Sequence, residues 1–316
     1  MVVKSEERGP RRGVETNDDG SKREGMFSSK VGLMWPQSPR GVASLMDLQS
    51  EPDLMMSDDT LVVGWETDPD VIREYVPEPL EVDGSGRMYL MSQYRWGYTG
   101  RNATEFISAE RINQTESWFM IPCTYQGNKY MFKAFSWGNR DWLAQSGRMI
   151  GLNHKWADVQ MTTFHPFAVK YNAPHRGARI CVTVENIGLV LRAYGDLDRV
   201  VPVEDLPWPF TGSDYHGSIG HRYVYDPCRG KPALNDLVVS FGDNIELGPI
   251  WRGEGWVQFY DAENEEVLQF KPKRMLGAWW FYIRFNHSKN APYVLHDYGE
   301  RSPYASRPRI KELLST

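Results

Sequence analysis

Cysteine is scarce in this chain. Cys123, Cys181 and Cys228 are the three cysteines among 316 residues, and they lie far apart. An odd number of cysteines, with no CxxC or CxxH pair, builds neither a disulfide framework nor a typical zinc site. We therefore expect a reducing, cytoplasmic compartment and no bound metal.

Long apolar runs and a surplus of positive charge are also missing. No stretch approaches the roughly 20 apolar residues of a membrane-spanning helix, and the first residues hold no apolar signal core. The formal net charge is −5, from 36 Lys and Arg against 41 Asp and Glu, and no basic stripe stands out. We expect neither a membrane nor a nucleic acid as a partner.

The motifs of common cofactor sites and nucleophiles are absent too. The sequence contains no GxGxxG, no P-loop and no GxSxG elbow, and we expect chemistry without a metal. His216 and His221 lie in DYHGSIGHRY. We interpret this segment as a glycine-rich loop that lacks an obvious third metal ligand.

Aromatic residues, by contrast, are abundant, with 12 Trp and 16 Tyr. Rings and β-branched residues recur in alternating stretches, which predicts strands. Asp68 and Pro69 predict the start of a short helix that stops at Pro77, and a second short helix is predicted over 139–147. Many strands with few helices indicate an α+β fold of mostly antiparallel β structure. The predicted strands are 61–65, 87–96, 129–137, 157–164, 178–186, 188–195, 237–242, 255–261, 266–270 and 278–285.

The chain divides by composition into a central domain with flanking segments. Residues 1–25 are charged and empty of aromatics, so we expect a disordered tail. Residues 26–59 predict an irregular wrapping arm, 60–285 the folded domain, and 286–316 a peripheral tail with one small helix at its end. We find no internal repeat. An insertion of about a dozen residues is expected within 97–114, judged from the strand lengths.

Three segments carry a resemblance to a known family: TDPDVIREYVPEPLEVDGSGRMYLM (67–91), TESWFMIPCTYQG (115–127) and GRMIGLNHKW (147–156). In this order and spacing they resemble acetoacetate decarboxylase and its relatives, as a divergent member. The resemblance implies a closed, cone-like antiparallel β-barrel with an apolar pocket. It also implies that Lys155 stands at the position of the family's Schiff-base lysine and Glu116 at that of its active-site glutamate.

The neighbourhood of these two residues departs from the family pattern. The family's second, adjacent lysine is Trp156 here, its Gly-Arg-Glu glutamate is Met149, and the proline before the lysine is His154. A pocket glutamate falls on Tyr89, and an arginine that helps to hold the substrate carboxylate falls near Asp58. The groups expected to recognise a carboxylate are therefore changed.

A Schiff-base role requires Lys155 to be neutral, since only the unprotonated amine attacks a ketone. Free lysine has a pKa of about 10.4, and lowering it to about 7 takes roughly 4.6 kcal/mol of differential destabilisation. With the adjacent lysine gone, we expect desolvation by apolar neighbours to supply most of this. Glu116 is expected to exchange protons with the substrate. The residues expected to bind substrate are Tyr89, Trp137, Arg148, His154 and Trp156.

The resemblance implies a cofactor-free, Schiff-base-forming lyase that acts on a β-keto acid or a related ketone. Decarboxylation is the first expectation, aldol and dehydration chemistry use the same iminium, and specialised metabolism fits the altered pocket. The family also implies a homo-oligomer. Two alternatives stay open: a non-covalent cyclase or isomerase, and a small-molecule-binding barrel without turnover. Each candidate residue also has an ordinary structural interpretation, as a solvated lysine, a strand-edge carboxylate or a core-facing ring.

Overall fold

The computed structural model describes residues 3–4, 54–99, 113–140, 143–144, 147–148, 150–207, 215–263, 265–287 and 292–305. Nearly all of the predicted tail (1–25), most of the predicted arm (26–59), residues 100–112 of the predicted insertion and the predicted terminal helix lie outside these ranges. Within them, no helix is long and apolar enough to span a membrane.

Strands dominate the described part of the chain, as the abundance of rings and alternating stretches predicted. The helix α1 spans Pro69–Tyr75, with the Asp68 side chain accepting from the amide of Asp70 and proline in the first turn, which confirms its predicted start. Short 3₁₀ turns cover Val203–Asp205 and Leu268–Phe270. The strands are β1 (Val3–Lys4), β2 (Leu54–Glu66), β3 (Arg87–Thr99), β4 (Asn113–Tyr125), β5 (Asn128–Gly138), β6 (His154–Trp156), β7 (Asp158–Met161), β8 (Arg179–Asn186), β9 (Gly188–Val201), β10 (Tyr215–Asp226), β11 (Lys231–Ser240), β12 (Gly242–Leu247), β13 (Ile250–Phe259), β14 (Arg274–His287) and β15 (Tyr293–Asp297).

The strands form one mostly antiparallel sheet. Its order is β15-β11-β10-β5-β4-β3-β2-β14-β13-β9-β8-β7, and β12 pairs with β14 and β1. The parallel pairs are β10 with β5 and β5 with β6, so β5 contacts β10 along its first half and β6 along its second. Among the described strands, the hydrogen-bonded order runs from β15 to β7 without joining its ends. The α+β, mostly antiparallel prediction is thus confirmed, whereas closure of the barrel is not.

Two predicted elements were wrong: the strand over 266–270 and the loop around His216 and His221. Residues 266–270 end in a 3₁₀ turn instead of a strand, because Phe270 is fully buried and its carbonyl accepts a hydrogen bond from the Trp65 indole at 2.8 Å. The segment around His216 and His221 is strand β10 instead of a loop. A Cβ on Gly220 would lie 1.6 Å from a backbone oxygen, so this glycine serves close backbone approach.

The predicted domain limits stay a prediction, and two strands cross them. Strand β2 begins at Leu54, six residues before the expected start of the domain. Strand β15 pairs with β11 and buries Tyr293, although it lies beyond residue 285.

The core lies on both faces of the central strands. Leu61, Val63 and Trp65 on β2 point into the larger apolar cluster, whereas Val62 between them points into a smaller one. Burial of such large side chains stabilises the fold by roughly 1.5–3 kcal/mol each. The smaller cluster continues along its face into a patch of buried polar residues on β2, β3 and β4, which contains the candidate site.

Candidate active site

A buried ionic cluster lies where β2, β3 and β4 run side by side. Cross-strand register places Asp58 opposite Arg95, and Gln93 opposite Glu116. Arg95 binds Asp58 with two nitrogens, at 3.0 and 2.9 Å, and donates to the Gln93 amide oxygen at 2.6 Å. Its remaining terminal nitrogen pairs with Glu116. One guanidinium therefore holds two carboxylates within a patch of buried polar residues.

The two carboxylates of the cluster differ in their electrostatics. Burial opposes ionisation of Glu116, but Arg95 and then His154 outweigh it and lower the pKa of Glu116 to about 2. Burial raises the pKa of Asp58 to about 6 even though Arg95 opposes the rise. Around neutral pH Glu116 is thus ionised.

His154 is the residue of β6 that faces this cluster. Its ring is fully buried, and Nε2 lies 3.3 Å from a Glu116 oxygen. A Cβ on Gly147 would come within 2.0 Å of the His154 ring, so this glycine lets the preceding loop pack directly on the imidazole. Glycine at 147 is therefore explained by the histidine, in addition to its expected place at a helix end.

Lys133 on β5 is the amine of this site. It is partly buried, and Nζ lies 4.9 Å from the centroid of the Trp118 ring. Arg95 lies over the same indole at 5.9 Å. Desolvation lowers the pKa of Lys133 to about 8, Glu116 opposes this fall, and the neighbouring Arg95 adds to it. Among the described residues, neither a hydrogen bond nor an ion pair engages this amine.

Lys155 lies in a different environment. Its Nζ is 2.9 Å from Oε2 of Glu265, whose side chain is fully buried, and 39% of the Lys155 side chain is exposed. Trp137 and Asn186 donate to the other oxygen of Glu265, each at 3.2 Å. Lys155 and Trp137 are register partners on β6 and β5, which explains why both reach the same carboxylate.

The structure does not bring the two predicted catalytic residues together. His154 and Lys155 are consecutive on an extended strand, so their side chains point to opposite faces. His154 contacts Glu116, whereas Lys155 contacts Glu265. The catalytic roles of Lys155 and Glu116 stay predictions.

The other predicted substrate contacts are dispersed. Tyr89 is buried in the smaller apolar cluster, where burial raises the pKa of its hydroxyl. Trp137 belongs to the larger cluster on the opposite face. Arg148 donates to the carbonyl oxygen of His154 at 3.2 Å and so braces the loop before β6, and Trp156 is 57% exposed.

Sequence reasoning missed Lys133 and Arg95, although a signal was present. Lys133 interrupts the otherwise apolar run MFKAF in a predicted strand, and Arg95 ends the run YLMSQYR in another. A charged residue inside a strand that is buried on both faces requires a partner or a function. Asp58, reached through the family position of an arginine, proves to be the partner of Arg95.

Comparison with known proteins places these observations in a family context. The family model described as acetoacetate decarboxylase matches residues 36–298. None of the curated proteins matches the chain. An acetoacetate decarboxylase-like enzyme from Sphingomonas wittichii RW1 shares 21% identity, with a TM-score of 0.73 over 84% of this chain and 100% of that one.

Two further solved structures have the same fold. The enduracididine biosynthesis enzyme MppR, complexed with pyruvate, shares 20% identity at a TM-score of 0.69, over 85% of this chain and 99% of that one. Acetoacetate decarboxylase from Legionella pneumophila shares 15% identity at a TM-score of 0.64, over 87% of this chain and 97% of that one.

Proposed function

Because the chain belongs to the acetoacetate decarboxylase family, we propose that it is a cofactor-free enzyme that forms an iminium between a lysine and a keto substrate. The observation that carries this proposal is the buried cluster of Asp58, Arg95, Glu116 and His154 beside an amine. Buried charges are destabilising unless they are paired, and they gather where chemistry needs perturbed groups.

The cluster suits recognition of a ketone better than recognition of a carboxylate. Asp58 and Glu116 already occupy the guanidinium of Arg95, which leaves no part of that charge for a substrate anion. We therefore propose that the carbonyl group of a β-keto acid or a related ketone enters the site. A carboxylate on the substrate would lie farther from the guanidinium of Arg95 than the carbonyl group does.

Glu116 is the proposed proton acceptor. With its pKa at about 2 it is ionised at neutral pH and holds a proton only transiently, so its proposed role is to relay the proton that the attacking amine loses to the departing hydroxyl. The iminium then withdraws electrons from a neighbouring bond, and loss of CO₂ from a β-keto acid is the simplest outcome. Condensation remains the nearest variant, since one solved structure of MppR holds the condensation product of pyruvate and imidazole 4-carboxaldehyde.

Reductive trapping tests the proposal. The wild-type protein is incubated with acetoacetate or pyruvate and cyanoborohydride, and intact mass and product are measured, with a reaction lacking ketone as control. We expect one reduced adduct per chain and loss of activity as it accumulates. Turnover that cyanoborohydride does not affect would instead indicate a non-covalent cyclase or isomerase, and ligand binding with neither adduct nor turnover would indicate a binding protein.

The variant Glu116→Gln sharpens this test because it keeps the shape of the side chain. We expect Glu116→Gln to reduce turnover by about 10²–10⁴-fold, as the loss of a positioned acid or base typically does. The matched control is Glu246→Gln, whose carboxylate pairs with Arg284 on the surface. We expect the control to retain wild-type turnover.

A further inference from the structure

Two lysines lie on adjacent strands near the candidate site, and their surroundings differ in kind. Lys155 is held by a buried carboxylate at 2.9 Å, within an arrangement that also satisfies both oxygens of Glu265. An ammonium group in such an ion pair has no lone pair for attack. Lys155 therefore acts as a structural cation, because Glu265 would otherwise be a buried charge without a counter-ion.

Lys133 has the surroundings that a nucleophilic amine needs. It packs on the face of Trp118 and shares that ring with Arg95, so a second cation stands beside it. Among the described residues it has no ion-pair partner; the carboxylate of Glu116 favours its ammonium form, but desolvation and Arg95 together outweigh that effect. A lysine amine is activated by desolvation or by a neighbouring cation, and acetoacetate decarboxylase itself is the established example of that activation.

From this geometry we infer that Lys133, on β5, is the residue that forms the iminium, and that Lys155 at the family position is not. The inference rests on the proposed function, since it names the nucleophile of that reaction. It moves the nucleophile to a strand that pairs directly with both β4, which carries Glu116, and β6, which carries Lys155.

The reaction can be written step by step with the Lys133 amine, the Glu116 carboxylate and protons from solvent. The lone pair of the Lys133 amine forms a bond to the ketone carbon, and the carbonyl oxygen takes up a proton from solvent. Glu116 accepts the proton released by the nitrogen and returns it to the hydroxyl, which leaves as water to give the iminium. From a β-keto acid the bond to the carboxyl carbon breaks, CO₂ leaves, and its electron pair forms an enamine. A proton adds to the enamine carbon, and water releases the ketone and the free amine.

The lowered pKa supports the same assignment. At pH 7 an amine with a pKa of about 8 is ~10% neutral, whereas a free lysine at 10.5 is ~0.03% neutral. Lys133 thus presents about 300-fold more reactive amine than an ordinary lysine would. The value of about 8 is the pKa of the Lys133 amine in the substrate-free protein.

Peptide mapping of the trapped wild-type protein is the deciding experiment. After treatment with acetoacetate and cyanoborohydride, we expect the mass increment on the peptide that contains Lys133. An increment on Lys155 would overturn the inference while leaving the proposed function intact. The absence of any adduct, together with turnover that is insensitive to cyanoborohydride, would overturn the proposed function itself.

A pair of variants gives a second readout. Lys155→Arg keeps the cation for Glu265 but cannot form an imine, so we expect wild-type adduct yield and activity. Lys133→Met removes the amine, and we expect the adduct and at least 10²-fold of the activity to be lost in a protein that is still folded by circular dichroism. Loss of the adduct in folded Lys155→Arg would contradict the inference.

Discussion

Replacing Lys133 with methionine should make the protein more stable while it abolishes imine formation. The pKa of Lys133 falls from 10.5 to about 8 on folding, mainly because burial disfavours the ammonium. Each pH unit is worth about 1.4 kcal/mol, so the native state is destabilised by about 3.5 kcal/mol at most. Since part of the side chain reaches solvent, screening leaves about 1–3 kcal/mol to be regained by an apolar side chain of similar length.

The pH dependence of this gain has a definite sign. A base whose folded pKa is depressed binds fewer protons in the native state than in the unfolded state between about pH 8 and 10.5. The contribution of Lys133 to stability therefore rises with pH through this window, and its penalty is complete below it. The advantage of Lys133→Met should be largest at pH 7 and should shrink by about half at pH 9.5.

Urea unfolding of both proteins at pH 7 and pH 9.5 measures the effect, with equal m-values as the condition for comparison. The control is Lys231→Met, which removes an exposed lysine paired with Glu300 and should change stability by no more than about 1 kcal/mol. A destabilised Lys133→Met variant, or a gain that is the same at both pH values, would refute the reasoning.

Three further outcomes follow from the structure. The rate of imine trapping should rise with pH to a midpoint near 8, the pKa of the proposed amine, and a midpoint near 10.5 would show an ordinary lysine. Gly147→Ala should destabilise by about 1–3 kcal/mol and lower activity, because its Cβ would meet the His154 ring at 2.0 Å, whereas Gly188→Ala meets nothing and should be silent. Glu265→Gln should destabilise by about 1–3 kcal/mol in thermal unfolding by unpairing Lys155, yet leave the trapped adduct unchanged. An adduct lost in that folded variant would tie Lys155 to the chemistry.

The fold class was predictable because alternation reports burial directly. Strand Arg179–Asn186 was predicted correctly because buried and more exposed residues alternate along it, and Arg87–Thr99 was predicted from its aromatic residues although both of its faces are buried. Strand β10 was missed because its glycines are typical of a loop, whereas here they allow two backbones to meet. Barrel closure was inferred from the family alone, and pairing between distant strands leaves no local trace in a sequence.

The candidate site was predictable only in part, for a geometric reason. Spacing within one segment locates a residue along the chain but does not set the face of the strand on which it lies, and a shift of one residue exchanges the faces. Glu116 was found, and the structure places it with His154 instead of Lys155. Arg95 was missed because its partner lies 37 residues away on a neighbouring strand.

The loss of the family's second lysine at Trp156 need not mean the loss of lysine activation. What the chemistry requires is an amine that is desolvated or close to another positive charge, and neither condition demands a particular position. Here Trp118 provides the apolar face, and Arg95 provides the cation on the same ring. Arg95 is better suited than a lysine to stay charged at that place, because Asp58 and Glu116 outweigh its burial and raise its pKa. It therefore keeps its charge at every pH at which Lys133 titrates, so that the lysine and not the arginine releases a proton.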